Sequence, residues 1–245
     1  MVINKKISIL IIDLLPIFLI QFLSSCESPT ETTEPTQLEE TYQLYSQDKF
    51  GEYLLAWNNE IQPIKEDDFN QLPDTLKAVY KIFQEFYNPS DLGKYCTVGR
   101  CPEFGNGLYS NVKYYIVQTE IIYTLKDYED RILVSNFKPN LDLETSILFL
   151  SKTYKEELDS FLNIEKHGDD INNRFEFLNS KLKIIPGHWF GWHFITHPEV
   201  EIIYFNESLD SASVHFRIVY EGGEARFAKT PDGWKMYESK LTWIE

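Results

Sequence analysis

The stretch EVEIIYFNESLDSASVHFRIVYEGGEARFAKTPDGWKMYESKLTWIE, residues 199–245, decides the fold class. It divides into four runs rich in Ile, Val, Phe, Tyr and Trp, separated by turn formers at 208–210, 221–223 and 231–233. Such runs, bounded by Gly, Pro, Asn and Asp, read as strands and hairpins. In the second run Val214, Phe216, Ile218 and Tyr220 share one face while Ser213, His215 and Arg217 share the other. That alternation marks a sheet with one buried face. Strands joined by so few residues must run antiparallel, so a four-stranded meander closes the chain.

Upstream, the periodicity changes. Residues 38–45 and 53–61 read as helices, and LPDTLKAVYKIFQEFYNP, residues 72–89, sets Leu76, Val79, Tyr80, Phe83, Phe86 and Tyr87 at helical spacing. Pro73 suits its first turn and Asn88-Pro89 ends it. Residues 88–110 read as a long irregular loop. Strands are expected at 112–125, 131–137 and 146–151, and helices at 152–163 and 170–182. The predicted class is α+β, with N-terminal helices packed on a curved antiparallel sheet, in one domain spanning 38–245. Helices followed by such a meander resemble the nuclear-transport-factor-two-like superfamily, the specific echo being the final hairpin GGEARFAKTPDGWKMYESKLTWIE. The resemblance implies a cone-shaped sheet. Members include pocket-based isomerases and hydrolases as well as non-catalytic binding domains, so it constrains architecture more than function.

The other end of the chain concerns location. Lys5 and Lys6 precede an apolar run over 7–23, the layout of an export signal. The run is shorter than the roughly 20 residues that span a bilayer, and Pro16 interrupts it. Leu23-Ser24-Ser25-Cys26 resembles the lipobox of bacterial lipoproteins. That resemblance implies a signal peptide over 1–25, removed to leave Cys26 carrying a diacylglycerol. It places the chain at the cell envelope, lipid-anchored at the outer membrane. Residues 26–37, including ESPTETTEPT, lack the apolar side chains needed to offset chain entropy and read as a disordered acidic tether. Loss of the signal removes two lysines and one aspartate and takes the formal charge from -15 to -16. So acidic a chain repels phosphate backbones, which argues against a nucleic-acid partner and assigns membrane attachment to the lipid. In an oxidising compartment Cys96 and Cys101 are expected to pair, since a metal knuckle would need two further soft ligands.

Chemistry is less legible. The chain has no nucleophile elbow, no H-E-x-x-H and no phosphate-cradling glycine loop. The densest constellation is PGHWFGWHFITHPE, residues 186–199, with His188, His193 and His197. Its glycines and prolines disfavour a helix, and in an extended chain His193 and His197 would stand about 13 Å apart. Zinc needs its nitrogen ligands at about 2.1 Å from one ion, so neither a metal nor a cofactor is expected unless the chain bends sharply at Gly191. Trp189, Trp192 and His193, with Trp234 and Trp243 on the meander, form a candidate pocket, although core packing draws on the same residue types. The acidic runs Glu66-Asp67-Asp68 and 127–130 fall in predicted turns and read as solvated surface. The functional expectation is a module that binds a small molecule or a protein partner and is not an enzyme. The alternative is a cone-type isomerase or hydrolase with a cavity near Trp192 and His193.

Overall fold

The computed structural model describes residues 36–44, 47–96, 112–125 and 130–245. The leader, nearly all of the tether, Cys26, Cys101 and the acidic residues 127–129 lie outside these, and with Cys101 so does the expected disulfide. Among the described residues no helix is long and apolar enough to cross a membrane.

The chain is α+β, opening with α1 (Gln37–Gln43), α2 (Gln47–Glu60), α3 (Glu66–Asn70) and α4 (Asp74–Phe86). Thr36 caps α1, its hydroxyl accepting from the Glu39 N–H. Glu66, Asp67 and Asp68 form the first turn of α3, not the expected loop; three carboxylates there complement the positive end of the helix. Pro73 is the N-cap of α4, one position earlier than predicted. Val79, Ile82, Phe83 and Phe86 make its apolar face fully buried. The Tyr95 hydroxyl closes its end, donating to the Phe86 carbonyl and accepting from the Asn88 N–H.

Next come β1 (Tyr114–Gln118), β2 (Glu120–Leu125), β3 (Arg131–Ser135), β4 (Ser146–Leu150), α5 (Lys152–Phe161), α6 (Ile164–His167) and α7 (Ile171–Asn179). A short pair, β5 (Ile184–Pro186) and β6 (Trp192–Phe194), leads to the meander β7 (Glu199–Phe205), β8 (Ser211–Ile218), β9 (Glu221–Thr230) and β10 (Gly233–Ile244). Six strands make the main sheet in the order β10-β9-β8-β7-β2-β3. It is mixed where an antiparallel sheet was expected, because β2 pairs parallel with β7. The helices between those strands supply the crossover that a parallel neighbour requires. β8 keeps its predicted alternation, with Val214, Phe216 and Ile218 buried.

The β8–β9 turn falls at Val219-Tyr220, not at 221–223, and Val219 adopts a left-handed φ of 55°. Gly222 and Gly223 lie inside β9 because partners come too close for a side chain. The Trp243 ring covers Gly222, while the Lys240 carbonyl and the Phe216 ring crowd Gly223.

Two cores result. In one, α4 and the 92–95 turn pack on the sheet, with Phe86 and Tyr95 both meeting Phe216 (ring centroids 5.2 and 5.4 Å). In the other, α1, α2, α5 and α7 cover the parallel pair β1–β4, with Trp57 stacked on Tyr154 at 4.2 Å. The strand expected over 112–125 breaks at Thr119, where the chain leaves one sheet for the other. There the Gln118 side-chain amide replaces a neighbouring strand, accepting from the Val200 N–H (2.7 Å) and donating to the Val200 carbonyl (2.9 Å). Replacing Gln118 with alanine strands two polar groups of a buried residue and should cost about 2 kcal/mol. Chemical denaturation of Gln118→Ala checks this, and an unchanged midpoint would count against the bridge.

Candidate functional site

The site grows from the stretch that carries the histidines. The chain here is not extended: β5 and β6 pair antiparallel, with Ile185 opposite His193 and Pro186 opposite Trp192. Between them a tight turn is closed by the Gly187 N–H donating to the Gly191 carbonyl at 2.7 Å. A side chain at Gly187 would strike the His193 ring and the Gly191 backbone, so the turn needs glycine for space. Trp189 sits at the tip in the left-handed region (φ 55°, ψ 38°), 90% exposed.

This hairpin forms one wall of a pocket of about 290 Å³. His188, Trp192, His193 and His197 line it from the hairpin and the loop beyond; Lys155 and Asp159 from α5; Glu199 and Arg217 from the main sheet, and Glu245 from just past β10. The reversal therefore gathers three histidines that an extended chain would have spread. Among the described residues, no three His, Cys, Asp or Glu side chains are grouped to hold a metal ion.

Most charges here are paired. Lys155 meets Asp159 at 2.9 Å, and Asp159 also accepts from the Trp192 indole N–H at 2.9 Å. Arg217 meets Glu245 at 2.6 Å, and the His193 Nε2 lies 3.4 Å from the same carboxylate. Burial and the nearby Arg217 lower the His193 pKa, an effect that Glu245 and Glu199 oppose. His197 is 8% exposed, and its Nδ1 has no hydrogen-bond partner. Burial lowers its pKa to about 4, so the ring is neutral near neutral pH. Glu199 is exposed at the pocket, where the surrounding walls raise its pKa by partial desolvation against the pull of Arg217, His193 and Lys155. A neutral imidazole, a carboxylate and a histidine–carboxylate pair can accept and donate protons or bind a polar ligand.

The five predicted pocket residues separate. Trp192 and His193 line the pocket, whereas Trp189 projects beside it. Trp234 is 5% exposed and packs edge-on against Phe205, in the core. Trp243 is 41% exposed and lies under the Arg217 guanidinium, 5.3 Å away, bordering the site without lining it. Lys155, Asp159, Glu199, Arg217 and Glu245 were not predicted. The one sequence signal was the polar face of β8, which carries Arg217.

The buried histidine has a consequence for stability. The unfolded chain binds a proton at His197 near pH 6.5 while the native chain resists until about pH 4. Stability from this group is therefore full above pH 6.5 and falls as pH drops towards 4, by about 3 kcal/mol. Urea titrations across that window should show the loss in the native chain and a shallower one in His197→Asn. Parallel profiles for the two would contradict a neutral buried ring. Comparison of the chain with protein families, curated proteins and solved structures finds no match, so the reading of the pocket rests on its own residues.

Proposed function

We propose that the chain is a lipid-anchored protein of the bacterial cell envelope whose folded domain binds a small polar ligand in the pocket beside the β5–β6 hairpin. The observation that carries the ligand reading is the partnerless Nδ1 of buried His197 in the wall of a charged pocket. Buried polar atoms are nearly always satisfied, so one without a protein partner in the wall of a cavity points to water or another polar group held there. The anchor reading rests on the leader, in which a basic, apolar segment ends at Leu23-Ser24-Ser25-Cys26. The interior of the sheet, where a cone-type protein would hold its ligand, is filled by α4 aromatics, so the reading puts the ligand beside the sheet.

The second reading, an enzyme working by acid–base chemistry, is favoured by the His193–Glu245 contact. A base lowered in pKa and oriented by a carboxylate suits proton abstraction. Turnover lost in His193→Ala with ligand affinity retained would select it.

Two measurements test the proposal. Mass spectrometry of membrane-extracted protein should find an acylated peptide beginning at Cys26, and an intact Met1 terminus in a soluble fraction would sink the anchor. In a thermal-shift screen of small polar metabolites, at least one compound should raise the melting temperature. Trp192→Ala should abolish that shift while keeping a cooperative transition. A screen in which no compound moves the native chain would refute the binding reading.

A further inference from the structure

The pairing of charges in the pocket says what it lacks. Two cations, Lys155 and Arg217, face three carboxylates, Asp159, Glu199 and Glu245. Asp159 is taken by Lys155 and the Trp192 indole, and Glu245 by Arg217 and His193. Among the described residues, no donor lies within hydrogen-bond distance of the Glu199 carboxylate, although Arg217 is its cross-strand neighbour. Two residues before it, His197 lines the same pocket, its ring hydrogen-bonded to the Ile116 backbone and its buried Nδ1 without a partner. Exposed Glu199 and buried His197, two residues apart, line one pocket, and the Glu199 carboxylate is the acceptor there that is open to an incoming N–H donor. Arg217 presents the complementary want: its Nε–H is buried and has no acceptor.

We infer that the pocket takes a small primary ammonium compound carrying an oxygen acceptor, its ammonium at the Glu199 carboxylate beside His197 and its oxygen towards Arg217. The inference rests on the ligand-binding reading above and names the chemical class. The surplus carboxylate and the chain's net charge of -15 both draw cations to the site. Leu150, Phe194 and Val219 form an apolar side of the lining, suited to a short aliphatic body. A pocket of about 290 Å³ matches a molecule the size of an amino alcohol or a small amino acid. A bare carboxylate would face three like charges with no free cation, since both cations are already paired.

The test compares four probes that share an isobutyl group by isothermal titration of the full chain in a non-ionic detergent. They are leucinol and leucine, which carry both groups, isoamylamine, which lacks the oxygen, and 4-methylpentanoate, which lacks the ammonium. Leucinol and leucine should bind, isoamylamine more weakly, and 4-methylpentanoate at least about tenfold more weakly than leucinol, the cost of a lost charge-assisted hydrogen bond. Glu199→Gln keeps the shape and should weaken leucinol by about tenfold while leaving the melting temperature of the unliganded chain in place. Tight binding of 4-methylpentanoate, or leucinol affinity unchanged in Glu199→Gln, overturns the inference and leaves the binding reading standing. Silence from all four probes overturns the inference, and together with a silent metabolite screen it removes the binding reading too.

Discussion

Both walls of the pocket hang from one crossing, the point at Thr119 where a single extended stretch passes from the parallel pair β1–β4 to the six-stranded sheet. A strand that changes sheets must abandon one ladder before it joins the next, and the backbone groups exposed between them need other partners. The Thr119 hydroxyl donates to the Leu150 carbonyl at 3.0 Å, its carbonyl accepts from Phe137 at 2.7 Å, and the Gln118 amide holds Val200. Leu150 ends β4 and leads into α5, which bears Lys155 and Asp159, while Val200 follows Glu199 in β7. The spacing between the α5 wall and the β7 wall is thus set by side chains at one junction, in place of the loops that connect the elements.

The α5 wall is held from behind by Arg174, which forks onto Glu39 through two bonds of 2.6 and 2.9 Å and reaches Asp170 at 2.9 Å. Its guanidinium also lies 4.7 Å from the Tyr42 and Phe161 rings, so one side chain joins α1, α5 and α7. Bidentate geometry and flanking aromatics are what allow a desolvated ion pair to specify a packing instead of merely costing solvation. Glu157 repeats the device from α5, accepting from the Leu38 N–H and the Tyr53 hydroxyl. A helix pinned on its inner face in two places presents Lys155 and Asp159 from a fixed platform.

The parts of this molecule that could be read in the sequence are those whose physics is local. The alternation of β8 and the apolar face of α4 are periodic, and the period alone reveals them. Gly222 and Gly223 misled because turns and close approaches both call for glycine, and only the packing of Trp243 and Phe216 tells the two apart. The true turn hides at Val219, a β-branched residue in a conformation it rarely adopts. The histidines stood out, yet the hairpin that gathers them depends on five residues between two three-residue strands, too short for any period to show. Lys155 and Asp159 on α5, Glu199 on β7 and Arg217 on β8 each looked like ordinary solvated positions. They became a site only where the polar faces of a helix, a hairpin and a sheet converge, which is information carried by tertiary contacts.

The unusual backbone at Val219 is best understood through its neighbour. The Tyr220 hydroxyl donates to the Pro186 carbonyl, tying the β8–β9 turn to the β5–β6 hairpin, and the His188 and His193 rings stand edge-on to the Tyr220 ring at 5.0 and 5.3 Å. A left-handed β-branched residue persists only when its surroundings over-determine it, and here three contacts to the hairpin do so. The same tie brings Arg217, two residues before Val219, against the wall that carries His193. The Tyr220 contacts therefore hold the two halves of the pocket in register. Groups held in this way are preorganised, as the proposed ligand binding requires.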